Sequence, residues 1–112
     1  TALPFIGQLK ELYHLDVYDR PASNQTLEQI ARLPKLRFLM LPNGVFDDDG
    51  VKHLSKLTTL EELSLQSGKM TDASIDHLAG LPSLRKLQLN GRITAVGRER
   101  LKSLLPKVEL SP

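Results

Sequence analysis

The sequence predicts an α/β solenoid, with a parallel sheet along one face and short helices along the other. Three observations carry this reading. A phrase of the form L-x-x-L-x-x-[LV]-x-[LV] recurs, headed by Leu9, Leu33, Leu57 and Leu81, which stand 24 residues apart. Between the phrases, Leu27, Val51 and Ile75 share one register position and Ile30, Leu54 and Leu78 another, a three-residue spacing that suits a helical turn on a core. Helix-start residues stand just upstream of each pair. A fixed period of this length means stacked units, none able to bury its apolar face alone.

Taken in order, residues 1–8 read as the helical half of a repeat, with Leu3 on the Leu27 position and Ile6 on the Ile30 position. Repeats follow at 9–32, 33–56, 57–80 and 81–103, each read as strand, turn, short helix, turn. The phrases supply the strands, through Leu9, Leu12, Leu15 and Val17 and their counterparts up to Leu81, Leu84, Leu87 and Leu89. Ser23-Asn24, Asp47-Asp48-Asp49 and Thr71-Asp72 offer side-chain oxygens to the first free helical amides. Pro34 and Pro82 follow the leucines that end two of the helices and stop them. The fourth repeat reads as one residue short, and 104–112 as a capping strand built on Val108 and Leu110. The whole of 1–112 is thus one domain, which reads as finished at its C-terminal end and as a fragment of a longer chain at its start. That leaves the strand around Tyr13 to Val17 as an open edge, and an edge-to-edge homodimer is a further expectation.

Composition bounds the rest. The chain has 112 residues, enough for one modest core, and a formal net charge of +2, which does not by itself imply nucleic acid. Cysteine is absent, so neither disulfides nor thiolate metal sites are available. This leans the reading toward a reducing compartment such as the cytoplasm and leaves localisation open. No stretch approaches the roughly 18 to 20 apolar residues of a membrane span, and no membrane association is expected. Thr1 to Gln8 lacks the basic flank and apolar run of a signal peptide.

The segments Phe46-Asp47-Asp48-Asp49-Gly50-Val51 and Met70-Thr71-Asp72-Ala73-Ser74-Ile75, set between the leucine phrases, carry a family resemblance. Over nearly its whole length the chain resembles leucine-rich repeat proteins. The two segments are similar to the "VTDxGL" wording of large bacterial leucine-repeat proteins and F-box-type substrate adaptors. The resemblance implies a right-handed horseshoe with a concave parallel sheet and short convex helices. It also implies a non-catalytic module that binds a protein partner. Two alternatives stand beside it: a substrate-recruiting or regulatory domain of a larger enzyme, such as a kinase or ubiquitin ligase, and a structural self-assembly unit. One departure matters. Where the family usually has Asn after the strand, this chain has Arg20, Gly44, Gly68 and Arg92, so no continuous asparagine ladder is expected. Gly44 and Gly68 read instead as answering a demand for positive φ.

Strand alternation then assigns the concave face, since Leu36, Leu39 and Leu41 point inward. Its first column is Tyr13, Arg37, Glu61, Arg85 and its second His14, Phe38, Glu62, Lys86. The third is Asp16, Met40, Ser64, Gln88 and the fourth Tyr18, Pro42, Gln66, Asn90. Three of the five aromatic residues, Tyr13, Tyr18 and Phe38, fall on this face. Together with Arg37 and Met40 they are of the types enriched at binding hot spots. The partner-binding candidates are therefore Tyr13, His14, Asp16, Tyr18, Arg37, Phe38, Met40, Glu62, Arg85 and Lys86. The plainer alternative is that Tyr13 or Phe38 packs against another part of the parent chain. Glu61 and Glu62 face Arg85 and Lys86, an arrangement suited to cross-strand ion pairs.

Other features carry less. From Leu81 onward seven cationic side chains stand against two acidic ones. No aromatic residue is interleaved to stack bases, so this reads as a solvated helix face and nucleic acid is not expected. His53 and His77 share a register position on successive helices but lack a third ligand. Asp47-Asp48-Asp49-Gly50 lacks the alternate spacing and closing Glu of a calcium loop. Ser67-Gly68-Lys69-Met70-Thr71 lacks the upstream glycine of a phosphate loop and reads as a turn. Asn24-Gln25-Thr26 is a glycosylation sequon whose polar residues a helix start already explains. No nucleophile, base and orienting group recur together, so no enzyme activity, small-molecule substrate, cofactor or metal is expected.

Overall fold

The computed structural model describes residues 9–18 and 21–111. The half repeat at 1–8, Arg20 and Pro112 lie outside the described residues. Five parallel strands, β1 (His14–Asp16), β2 (Phe38–Asp47), β3 (Glu62–Thr71), β4 (Lys86–Arg92) and β5 (Glu109–Ser111), form one sheet in sequence order. Helices α1 (Asn24–Ile30), α2 (Asp48–His53), α3 (Ala73–Leu78) and α4 (Ala95–Leu104) return the chain between strands, and Leu54–Lys56 adds a 3₁₀ turn after α2. No helix among the described residues is long and apolar enough to cross a membrane.

The repeat period becomes the sheet register. Leu39 pairs with Leu63 and Leu63 with Leu87, so like positions stack on like. All twelve phrase leucines of the three later repeats are buried, as are both helical columns, Leu27, Val51, Ile75 and Ile30, Leu54, Leu78. Fully burying such a side chain is worth about 1.5 to 3 kcal/mol. A third inward column comprises Ala22, Phe46 and Met70, each fully buried, with Ile93 packed beside them. At the first repeat the same phrase is less covered: Leu9 is 51% exposed, and Leu12 and Leu15 are half-buried. The three middle strands each begin on a shared carbonyl. The Tyr13 carbonyl accepts from the amides of Arg37 and Phe38, that of Arg37 from Glu61 and Glu62, and that of Glu61 from Arg85 and Lys86.

Several expectations are corrected. The two central strands do not turn after Leu41 and Leu65 but run on through register shifts to Asp47 and Thr71, so Ser67–Thr71 is strand. No described glycine has positive φ. Gly44 is required for space, because a Cβ there would drive into the Phe46 ring and the Gln66 carbonyl; at Gly68 a side chain would meet open space. Leu104, read as the start of the cap, closes α4 and is 43% exposed. Leu105 takes the buried position, followed by Pro106 as Leu33 and Leu81 are followed by Pro34 and Pro82.

In place of an asparagine ladder, a different ladder ties the repeats together at the helix starts. Asn24 exchanges two hydrogen bonds with Asp47: its Nδ2 donates to the Asp47 carboxylate (2.9 Å), and its Oδ1 accepts from the Asp47 amide (3.0 Å). Asp48, 24 residues on, accepts from the Thr71 amide (2.8 Å), the Thr71 hydroxyl (2.5 Å) and the buried Ser74 hydroxyl (2.5 Å). Asp72, a further 24 on, accepts from the Thr94 amide (2.9 Å) and hydroxyl (2.5 Å). Each rung thus grips the residue that starts the next helical half. Asp47 caps α2 and Thr94 caps α4 through their own side chains. Asp72, expected to cap its own helix, makes no such bond. Small residues leave room beneath the rungs: a Cβ at Gly50 would strike the Asn24 carboxamide, and one at Gly97 the Asp72 carboxylate. At residues 47–50 a capping aspartate, a bridging aspartate and a closely approached glycine thus follow one another. In the last repeat Ala95 holds the bridging position, and the ladder ends there.

Candidate functional site

Parallel register lays the exposed side chains of the sheet in rows. His14 aligns with Phe38, Phe38 with Glu62, Glu62 with Lys86 and Lys86 with Glu109. Asp16, Met40, Ser64, Gln88 and Ser111 form the next row. Glu109 and Ser111 thus extend both columns by one strand. The alternation of Val108 and Leu110 around Glu109 is the sequence signal that places them.

The first two repeats build one aromatic cluster on Phe38. The Tyr13 ring meets it edge-on, with centroids 6.3 Å apart and planes at 71°. The His14 ring lies at 5.7 Å, tilted by 56°, and the Arg37 guanidinium carbon sits 5.2 Å from the Phe38 ring centre. This geometry suits the ring quadrupole, whose negative face attracts both an edge and a cation. Phe38 is half-buried by these neighbours while Tyr13 stays 56% exposed. His14 also contacts the Asp16 carboxylate, at 3.1 Å, two residues along the same face of β1. Tyr18 is the exception among the candidates. It lies beyond the end of β1, is 71% exposed, and makes no ring contact among the described residues.

Arg37 is held from its other side. Its Nε donates to Glu61 (2.7 Å), and Arg85 Nη1 donates to the second oxygen of the same carboxylate (3.2 Å). One acidic group thereby fixes two guanidinium groups across β2, β3 and β4. The hydrogen bond from Arg37 holds the Glu61 carboxyl below its usual range despite partial desolvation, and Glu61 in turn raises the Arg37 pKa. The expected second pair does not form: although Glu62 and Lys86 share register, no ion pair joins them among the described residues. Glu61, flanked on both sides by arginines, takes that role because both guanidinium groups reach it from the adjoining strands. Beside the cluster, Met40, Glu62, Ser64, Lys86 and Gln88 line a shallow depression of about 120 Å³, where the Ser64 hydroxyl donates to Gln88 at 3.2 Å.

The surface presents rings, fixed guanidinium groups and carboxylates over an apolar floor. No three His, Cys, Asp or Glu side chains among the described residues are grouped to hold a metal ion. The sequence matches no family model and no curated protein. Solved structures do resemble it. Leiomodin-1 actin-binding site 2 superposes with a TM-score of 0.72 at 18% identity, over 97% of this chain and 75% of that one. A Leptospira interrogans leucine-rich repeat protein superposes with a TM-score of 0.60 at 22% identity, over 96% of this chain and 33% of that one. The chain thus spans about a third of the Leptospira protein. At these identities the likeness bears on the fold: this is a leucine-rich repeat solenoid.

Proposed function

We propose that the chain is a non-catalytic protein-binding module that receives its partner on the concave face of the first two repeats. The observation that carries this is the Phe38 cluster. Tyr13, His14 and Arg37 gather around one ring on an open sheet face, with Arg37 further braced by Glu61. A rigid aromatic anchor with a preorganised guanidinium loses little freedom on binding, which is what makes such residues dominate interface energetics. Tyr18, Asp16 and Met40 would border the contact, with Glu62, Arg85 and Lys86 as its polar rim. The actin-binding character of leiomodin-1 site 2 fits a partner-binding role for this fold without naming the partner here.

The finer family reading belongs to the same proposal. The likeness of residues 46–51 and 70–75 to the "VTDxGL" wording would make the module a substrate-recruiting domain of the kind found in F-box-type adaptors. The experiment is affinity capture from source-cell extract with three baits: the native chain, a Phe38→Ala/Tyr13→Ala variant and a convex-face Lys52→Ala control. A partner retained by the native chain and the control and lost with the double variant supports the proposal. A partner retained equally by all three refutes it.

A further inference from the structure

We infer that the C-terminal end of the solenoid is a second docking surface, built for an acidic polypeptide segment that carries an apolar side chain. Three features meet there. The first is apolar space: Leu87, Leu89, Leu101 and Leu110 line a groove of about 280 Å³ between the last strands and α4. Leu104, 43% exposed, lies on the same helix. The second is an open edge. β5 pairs with β4 alone, so the main chain of Glu109–Ser111 has one side without a strand partner among the described residues. Such an edge is a template for an added strand.

The third feature is charge. Arg98 and Lys102, one helical turn apart, line the same groove. Arg98 is braced there by donating from Nη2 to the Leu89 carbonyl at 3.0 Å. The residues from Leu81 on carry seven cationic against two acidic side chains, whereas the first eighty carry eight against eleven. The solenoid is therefore electrically polarised along its axis, with its positive end at the apolar groove. That complementarity favours an acidic occupant: Arg98 meets only a backbone carbonyl, and the pair between Lys102 and Glu99 (3.2 Å) is exposed enough to exchange for an incoming carboxylate. A segment added along β5 would send one side chain, on the Leu110 side, into the groove and bring flanking carboxylates to Arg98 and Lys102. This surface is separate from Phe38, three strands away across the sheet, and does not depend on its cluster.

The test uses a fluorescent peptide with two leucines flanked by glutamates, titrated against the native chain by anisotropy and mapped by amide NMR shifts. The expected result is saturable binding that perturbs Leu101, Lys102 and Leu110. Affinity should fall roughly tenfold in Lys102→Glu, less in Lys102→Gln, and further as salt is raised. Phe38→Ala should leave it unchanged, which separates this surface from the concave one. Both Lys102 variants change an exposed side chain, and circular dichroism verifies their fold. Three results would overturn the inference. One is no perturbation at millimolar peptide. Another is equal binding of a serine-for-leucine peptide or of duplex DNA, which would mean a general polyanion surface. The last is a dimer that Leu104→Glu dissolves, which would make a second copy the occupant.

Discussion

Asp48 binds Thr71 twice across the boundary between two repeats, accepting from its amide at 2.8 Å and its hydroxyl at 2.5 Å. The same carboxylate accepts from Ser74, which is fully buried. One side chain thus satisfies the start of a helical half that is not its own. This is how neighbouring units become one cooperative solid, where leucine stacking alone would leave the helix starts free.

Asp48→Ala should therefore cost about 2 kcal/mol or more, because it removes charge-assisted bonds and strands a buried hydroxyl. Urea unfolding checks this. A midpoint equal to that of the native chain would mean the rungs are decorative.

The rungs also predict acid sensitivity. Burial pushes the Asp48 carboxyl up, but hydrogen bonds from Ser74 and Thr71 outweigh it and hold the group below its ordinary value. The bond from Asn24 does the same for Asp47, and those from Thr94 for Asp72. Carboxyls depressed in the folded state contribute stability above their unfolded pKa of about 4, and that stability is lost as pH falls through the folded values. The urea midpoint should stay level down to about pH 5 and decline below pH 4. Asp48→Asn should flatten part of that decline, and a slope identical to the native chain's would contradict the assignment.

The two strand glycines should part company. At Gly44 an added methyl meets the Phe46 ring and a carbonyl, so Gly44→Ala should cost about 1 to 3 kcal/mol. Gly68 faces open space with ordinary φ, and Gly68→Ala should be neutral or stabilising by under about 1 kcal/mol. Thermal unfolding of the pair decides the matter. Equal losses would restore the positive-φ reading.

Leu63→Ala should cost about 2 to 5 kcal/mol, since Leu63 stacks between Leu39 and Leu87 with 2% exposure. Near-native thermal stability would refute the register.

Much of this was legible in the sequence because stacking converts a 24-residue spacing directly into lateral contact. Arg37 and Glu61 are one period apart and touch; His14 and Phe38 are too. Tyr18 escaped that logic because β1 ends before it, so strand alternation no longer places it. The rungs were hidden for another reason. An aspartate at a helix start caps its own helix in most contexts, and Asp47 does so. Asp48 and Asp72 turn instead to residues more than twenty positions away, a choice set by the stacking distance and absent from any local pattern. The C-terminal shift to Leu105 was masked because Leu104 and Leu105 are adjacent and identical, and only burial separates them.

Partner binding at the Phe38 cluster, as proposed, depends on the Phe38 ring itself. Its most direct test is calorimetric titration of the captured partner into the native chain and into Phe38→Ala. Truncating this central aromatic anchor should lose at least about 1 to 2 kcal/mol of binding free energy, roughly five- to thirtyfold in Kd. An unchanged Kd in a normally folded variant would contradict it.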